Sequence, residues 1–202
     1  MRHIREHLDT RAQEHLLGEI LGVIACAPLF TPAMPRTGKP FSVRMTNCGP
    51  LGWVSDKAGG YRYQPTHPET GEPWPEMPRM LRDLWAQVVD YPAPPEACLV
   101  NYYAAHAKMG LHRDEDEADF SAPVVSVSLG DTALFRIGGA ARKDPTRAFE
   151  LKSGSVLVLE GASRRAYHGV DRIVPGSSDL LVDAFPDGGR INLTLRRVTL
   201  PD

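Results

Sequence analysis

The chain has 202 residues, of which 42% are hydrophobic and 24% charged, an ordinary globular composition that suits one compact domain. The formal net charge of −2 gives no global attraction to nucleic acid, so any surface that binds phosphate has to be local. The three cysteines (Cys26, Cys48 and Cys98) form no CxxC pair, which argues against a disulfide framework or zinc site and favours the reducing cytoplasm.

The first predicted element is a helix over residues 5–26. Its apolar side chains recur at near-helical spacing, at Leu8, Ala12, Leu16, Ile20 and Val23. Pro28 and Pro32 then end it. The stretch from Leu16 to Ala27 also has features of a signal peptide, but Glu19 interrupts it and the residues before it mix both charges. We therefore expect a helix rather than a secretion signal. No apolar run approaches the roughly 20 residues that span a bilayer.

Residues 28–75 are rich in Pro, Gly and Tyr and predict a long irregular region. Short strands are indicated only at Phe41–Met45 and Gly60–Tyr63. Regions of this length are typically functional lids or disordered segments. The aromatic residues Trp53 and Tyr61 argue against disorder. We therefore expect a lid.

A second helix is predicted over Met77–Val89, after which the pattern changes to short β-branched runs. The predicted strands are Ala97–Tyr103, Val124–Leu129, Ala133–Ile137, Ala148–Leu151, Ser155–Leu159 and Ile191–Val198. Helices followed by many strands predict an α+β domain whose sheets form a sandwich or barrel.

A candidate metal site begins at His112-Arg113-Asp114. In an extended segment residues i and i+2 point to the same side, so the imidazole and the carboxylate can converge. His168 is available as a third ligand. Two histidines and one carboxylate on one face leave the opposite positions open, as in non-haem Fe(II) oxygenases. Taken alone, the motif also fits a histidine that simply lies at the surface.

The run from Arg190 to Arg196 alternates strictly between polar and apolar residues. Arg190, Asn192, Thr194 and Arg196 share one strand face. Two arginines on an interior strand are costly unless anions meet them, and the guanidinium fork suits a carboxylate. A dicarboxylate such as 2-oxoglutarate fits this face, and a solvent-facing polar strand remains the alternative.

Together these motifs resemble the AlkB family of nucleic-acid dealkylases, over about residues 41 to 198. The resemblance runs through Met45–Trp53, Gly71–Pro75, Ala97–Tyr103, His112–Glu117, Val125–Gly130, Tyr167–Gly169 and Arg190–Arg196. It implies a double-stranded β-helix, or jelly-roll, core with supporting N-terminal helices and a nucleotide-recognition lid. We expect one domain over 1–202, with the lid and its supporting helix at about 40–95 and the core at about 96–200.

The resemblance also implies roles for twelve residues. The iron ligands would be His112, Asp114 and His168. The 2-oxoglutarate contacts would be Asn101, Tyr103, Arg190, Asn192 and Arg196. The contacts to the substrate base and strand would be Trp53, Tyr61, Asp116 and Arg142.

The activity that the resemblance implies is oxidative demethylation of 1-methyladenine and 3-methylcytosine. It would use Fe(II), O₂ and 2-oxoglutarate, and would release formaldehyde, succinate and CO₂. The expected partner is alkylated DNA, single- or double-stranded, with RNA as a further candidate. We expect a cytoplasmic monomer, with no membrane partner, that acts as a DNA oxidative demethylase.

Two positions depart from the family pattern. Ala105-His106 replaces the usual Pro-Gly after the Asn-x-Tyr strand, so His106 is a candidate surface contact. The first thirty residues also lack a recognisable strand, although the family pattern leads us to expect one there.

Two alternative functions remain at this stage. The same chemistry could act on protein side chains, lipid or a small molecule, or a cupin-like module could bind a metal or dicarboxylate without turnover. A phosphate-binding surface could use Arg142, Lys143, Arg147, Arg164 and Arg165, although each of these could also lie on an ordinary solvated face.

Overall fold

The computed structural model describes residues 1–201. It contains twelve strands, two α-helices and one short 3₁₀ helix. In chain order these are β1 (Arg2–Ile4), α1 (Thr10–Cys26), β2 (Arg44–Cys48), β3 (Gly52–Asp56), β4 (Gly60–Gln64), α2 (Arg79–Val88), β5 (Ala97–Tyr103), β6 (Met109–His112), β7 (Val124–Gly130), β8 (Thr132–Ile137), β9 (Arg147–Leu151), β10 (Val156–Leu159), the 3₁₀ helix (Gly161–Ser163), β11 (His168–Val174) and β12 (Arg190–Arg196).

The N-terminus differs from the prediction in two ways. A strand is present, because β1 pairs antiparallel with β10 at one edge of the main sheet, so the expectation that this strand is missing is wrong. The helix begins at Thr10 rather than at residue 5, since Asp9 is its N-cap and accepts a hydrogen bond from the Ala12 amide at 2.8 Å. A three-residue strand is too short to leave a periodic signal in the sequence.

The main sheet has six antiparallel strands in the order β1-β10-β7-β12-β5-β2. Helices α1 and α2 pack on one face through their buried apolar side chains, Leu16, Leu17, Ile20, Val23, Leu81, Leu84, Trp85 and Val88. Burying a side chain of this size stabilises the fold by about 1.5–3 kcal/mol. The opposite face of the sheet is therefore left for a second layer.

That second layer is a four-stranded antiparallel sheet in the order β6-β11-β8-β9. A shared cluster of apolar side chains joins the two sheets, with Tyr103 and Leu157 from the first and Phe135 and Ile173 from the second. From β5 onward the chain alternates between the sheets, except that the consecutive strands β8 and β9 both belong to the second. The predicted α+β class with packed sheets is confirmed at this level.

The stretch predicted as mostly irregular holds three strands. The strand predicted at Phe41–Met45 is β2, displaced toward Cys48, where it pairs with β5. Strand β3 was not predicted, and it forms a hairpin with β4 in register Trp53↔Tyr63. We call this hairpin, residues 52–64, the aromatic hairpin. Its alternation is hard to read from sequence because Trp53 and Asp56 are only partly buried.

Neither helix among the described residues is long and apolar enough to cross a bilayer.

Candidate active site

The metal triad lies where β6 and β11 run side by side in the second sheet. His112 ends β6 and His168 begins β11, and the two residues are direct partners in the ladder. The Asp114 carboxylate lies between them, with Oδ1 3.9 Å from His112 Nε2 and Oδ2 3.6 Å from His168 Nε2. The three ligand atoms lie within 4.8 Å of one another, close enough to share one metal ion.

Gly169 permits the close approach of these two strands. A Cβ atom on Gly169 would lie 2.5 Å from the Met109 carbonyl oxygen and 3.0 Å from backbone atoms of Gly110, so any larger residue would push β6 away from β11. Gly169, which directly follows the third ligand, is thus needed to bring the two histidines together.

Backbone carbonyls fix the tautomers of both histidines. His112 Nδ1 lies 2.9 Å from the Gly110 oxygen, and His168 Nδ1 lies 3.0 Å from the Ala166 oxygen. A carbonyl only accepts, so each Nδ1 carries the hydrogen and each Nε2 keeps a lone pair for a metal. Partial burial, together with the neighbouring His168, lowers the pKa of His112 to about 4. His112 is therefore neutral near pH 7, as a ligand must be.

Asp114 is held in its charged form. Burial alone would raise its pKa, but nearby positive charge, above all that of Arg196, outweighs burial and holds the pKa of the Asp114 carboxyl well below its usual range. Arg196 Nη2 donates to Asp114 Oδ1 at 2.6 Å. A carboxylate that is 4% exposed and ionised at neutral pH is prepared for a cation.

The polar face of β12 points into the space between the sheets. In the ladder with β5, Arg190 lies opposite Tyr103 and Asn192 lies opposite Asn101. Asn192 Nδ2 donates to Ser126 Oγ at 2.6 Å, and its Oδ1 accepts from Thr194, so its amide orientation is fixed. The predicted alternation along this strand is confirmed. The alternative of a solvent-facing strand is wrong, because β12 is central and both arginines are buried.

Arg190 and Arg196 lie in different electrostatic surroundings. Arg196 contacts two carboxylates, those of Asp114 and Glu117. Arg190 donates to Ser128 Oγ at 2.9 Å and to the Leu151 carbonyl at 3.4 Å, both neutral groups. Burial lowers the pKa of Arg190 to about 10, so it stays charged at pH 7. Among the described residues the Nε of each arginine is buried without a hydrogen-bond partner.

The predicted substrate contacts lie on loops and on the aromatic hairpin. Trp53 Nε1 donates to Asp116 Oδ2 at 2.7 Å, and the Trp53 and Tyr61 rings stack with centroids 5.4 Å apart. The Asn47 side chain holds the Trp53 backbone through two hydrogen bonds of 3.0 Å. Arg142 donates to the Leu111 carbonyl at 2.7 Å. Trp53 is half-buried rather than part of the interior. Hydrogen bonds fix both its backbone and its indole nitrogen.

A single cavity of about 520 Å³ joins these groups. Its lining includes all twelve residues named from the sequence: His112, Asp114, His168, Asn101, Tyr103, Arg190, Asn192, Arg196, Trp53, Tyr61, Asp116 and Arg142. Residues separated by up to 143 positions in the chain thus reach one space, with the volume of an ordinary small-molecule site.

Comparison with known proteins identifies the family. Residues 1–196 match the 2OG-Fe(II) oxygenase superfamily. The chain belongs to this family. It is 57% identical over 190 residues to an alpha-ketoglutarate-dependent dioxygenase AlkB homolog of Caulobacter vibrioides, covering 94% of this chain and 84% of that protein. It is 43% identical over 190 residues to the alpha-ketoglutarate-dependent dioxygenase AlkB of Escherichia coli, covering 92% and 85%.

The solved structure of OsALKBH1 has a similar fold, with a TM-score of 0.78, 30% identity and 97% of each chain covered. Oxygenases of this family use Fe(II), 2-oxoglutarate and O₂. The residues of this oxygenase fit those groups: the triad offers two imidazole nitrogens and one carboxylate, and the two arginines that carry an unpaired Nε line the same cavity.

Two charged residues next to the triad were not predicted to lie at the site. Glu117 and Arg164 are 3% and 2% exposed and form an ion pair of 2.9 Å behind the triad. Arg164 was expected among surface residues that bind phosphate, and that expectation is wrong, because its guanidinium also donates to the backbone oxygens of Ala122 and Asp114. His106 is exposed, as a surface contact would be.

Proposed function

We propose that this oxygenase removes N-alkyl groups from nucleic-acid bases. The observation that carries the proposal is one cavity with a His-Asp-His triad inside and a Trp53–Asp116 pair at its mouth. When bound, Fe(II) with 2-oxoglutarate and O₂ supplies the oxidation that turns an N-methyl group into formaldehyde, with release of succinate and CO₂.

The cosubstrate would bind between the two arginines. Arg196 contacts Asp114, so it lies at the metal, and we assign it to the end of 2-oxoglutarate nearest the metal. Arg190 has no carboxylate partner among residues 1–201, and its one free nitrogen is buried. We assign it, with Ser128, to the distal carboxylate, because a buried cation is stabilised strongly by an anion that it meets bidentately. Asn101, Tyr103 and Asn192 complete the walls.

The substrate base would lie between Trp53 and His112, two of the aromatic side chains that line the cavity. Methylation at N1 of adenine or N3 of cytosine gives the base a positive charge, which favours an aromatic face. Asp116 would accept a hydrogen bond from the exocyclic amine, exchanging its present bond to Trp53 Nε1 for one to the base. Tyr61 and Arg142 lie at the rim of the cavity, where the nucleic-acid strand on either side of the base would pass.

The aromatic hairpin and the loops around it would act as the nucleotide-recognition lid, and the two sheets as the jelly-roll core. The alternation of the chain between the sheets supports the second assignment. We further propose that the protein is a DNA oxidative demethylase that acts as a cytoplasmic monomer. Its three free cysteines are consistent with a reducing compartment.

The test is a panel of oligonucleotides that carry 1-methyladenine or 3-methylcytosine in single-stranded DNA, double-stranded DNA and RNA. Formaldehyde is measured with Fe(II) and 2-oxoglutarate present, and again with each one omitted. We expect formaldehyde only in the complete mixture and only from methylated strands. Succinate without formaldehyde from any oligonucleotide would instead favour a protein, lipid or small-molecule substrate.

A further inference from the structure

A network of buried charged groups lies behind the cavity wall and joins the triad to the aromatic hairpin. Arg196 donates to Asp114 through Nη2, and through Nη1 to Glu117 at 2.8 Å and to the Tyr63 hydroxyl at 3.0 Å. The Tyr63 hydroxyl in turn donates to Glu117. Arg164 donates to the other Glu117 oxygen at 2.9 Å and to the Asp114 backbone oxygen at 3.0 Å. Each group therefore holds at least one other in place.

The charges of this network balance. Asp114 and Glu117 supply two negative charges, and Arg164 and Arg196 supply two positive charges, all less than 10% exposed. Burial would raise the pKa of Glu117, but Arg196 outweighs burial and keeps the pKa below its usual value. Removing one member would leave an unpaired buried charge, and the remaining members would rearrange around it.

Tyr63 connects the network to the part of the molecule that carries Trp53. It lies on β4 directly opposite Trp53 on β3. The same guanidinium that contacts the Asp114 carboxylate therefore also contacts the aromatic hairpin, through one hydroxyl group. Because Arg196 Nη1 donates to the Tyr63 hydroxyl, a change in what Arg196 binds also changes the hydrogen bonding of Tyr63.

We propose that Tyr63, Glu117 and Arg164 are positioning residues that couple the aromatic hairpin to the 2-oxoglutarate site, so that filling this site orders the hairpin. The coupling rests on the proposed function only in taking 2-oxoglutarate as the ligand of Arg196. Because coupling between two binding sites is reciprocal, a base held under the hairpin strengthens 2-oxoglutarate binding by the same factor. Turnover is thereby favoured when a substrate is present.

The direct test is hydrogen exchange of the amides in residues 52–64, with and without Mn(II) and 2-oxoglutarate, in the absence of nucleic acid. Mn(II) replaces Fe(II) so that no oxidation takes place. In the wild-type protein we expect exchange in the hairpin to slow by about 5- to 150-fold when both are added, the range of ordinary coupling between sites. No slowing in the wild-type protein would overturn the proposal.

The matched pair of variants is Tyr63→Phe and Tyr91→Phe. Tyr91 also donates to a carboxylate, that of Asp119 at 2.7 Å, but it does not contact Arg196. Both variants lose one tyrosine–carboxylate bond, so a general loss of stability affects both. We expect Tyr63→Phe to bind Mn(II) and 2-oxoglutarate yet lose the slowing in the hairpin, while Tyr91→Phe keeps it. Equal slowing in both variants would contradict the coupling.

A second variant tests the inner half of the network. Glu117→Gln keeps the size of the side chain but leaves Arg196 to compete more strongly with the metal for Asp114. We expect Mn(II) affinity to fall by about 10- to 100-fold, as for other outer contacts of metal ligands. Glu160→Gln, which breaks the surface pair with Arg2, is the control and should bind Mn(II) normally. Unchanged Mn(II) affinity in Glu117→Gln would remove Glu117 from the proposal. These readouts use no substrate, so they stand or fall separately from the formaldehyde assay.

Discussion

The two sides of the cavity are built differently. The residues proposed for iron and 2-oxoglutarate lie on or directly beside paired strands, and Asp114, His168, Arg190 and Arg196 are all less than 10% exposed. The residues proposed for the substrate lie on a two-stranded hairpin and on loops. Tyr61 is 51% exposed there, and Trp53 Nε1 donates a hydrogen bond to the Asp116 carboxylate.

This difference suits the two tasks. A metal and a small dicarboxylate need a fixed set of donors, and buried strands in register supply one. A base in a long nucleic-acid strand has to enter the cavity from outside. The side chains that contact it must therefore be able to give up their present hydrogen-bond partners for the base. Changes among the residues proposed for iron and 2-oxoglutarate should therefore impair every activity, whereas changes at Trp53 and Asp116 should affect only reactions that use the base.

The largest effect is expected from Asp114→Ala. It removes the carboxylate of the triad and leaves Arg196 without one of its two anions, so metal binding and all turnover of 2-oxoglutarate should be lost. Succinate formation and Mn(II) binding measure this. Because the loss of a buried partner also destabilises, a circular dichroism spectrum should accompany the assay. Full succinate formation in a folded Asp114→Ala protein would contradict the proposed triad.

The arginines should come next. Lysine keeps the charge but loses the fork, so Arg190→Lys and Arg196→Lys should both raise the KM for 2-oxoglutarate. Arg190→Lys should leave Mn(II) affinity unchanged, whereas Arg196→Lys should alter it, because only Arg196 contacts a ligand of the metal. Titrations of each ligand against both variants measure this. Equal effects on Mn(II) would refute the assignment of the two arginines to opposite ends of the cosubstrate.

A smaller and more selective effect is expected from Trp53→Ala. The stacking of a base on tryptophan contributes about 1–3 kcal/mol, so demethylation should fall by roughly 5- to 150-fold. Decarboxylation of 2-oxoglutarate in the absence of nucleic acid should persist, since the residues proposed for iron and 2-oxoglutarate are unchanged. The loss should be greater for cationic 1-methyladenine than for a neutral lesion. A loss of unfolding free energy typical of an interior tryptophan, about 3–5 kcal/mol, would instead make Trp53 a structural residue.

The last effect concerns the pH dependence of stability in the metal-free protein. His112 has a pKa of about 4 in the folded protein and the ordinary value near 6.5 when unfolded. Between these values the unfolded chain binds a proton that the folded chain does not, so acid favours unfolding. The metal-free protein should therefore lose stability as the pH falls from about 6.5 to about 4. His112→Asn should flatten this dependence, as measured by thermal melts. An unchanged slope would mean that His112 is not held neutral by the fold.

The contrast between the buried strands and the partly exposed aromatic hairpin also explains how much of the structure the sequence could predict. Strand β5 was predicted with its observed limits, and β12 to within two residues, because alternation on a central strand is regular and buried. Strand β3 was missed because its hairpin is only partly covered. Glu117 and Arg164 gave no signal, since a buried ion pair between residues 47 positions apart has the same sequence pattern as two surface charges. Their pairing depends on the packing of the loop that follows β6 against the 3₁₀ turn before β11.

The central claim is that the cavity oxidises a methyl group on a base that the aromatic hairpin holds. The most direct measurement follows a single-stranded oligonucleotide with one 1-methyladenine by mass spectrometry, together with succinate, in the same reaction. The account predicts that one methyl group is lost for each succinate formed, and that an unmethylated strand gives little succinate. Rapid succinate formation with no change in the mass of the methylated strand would contradict it.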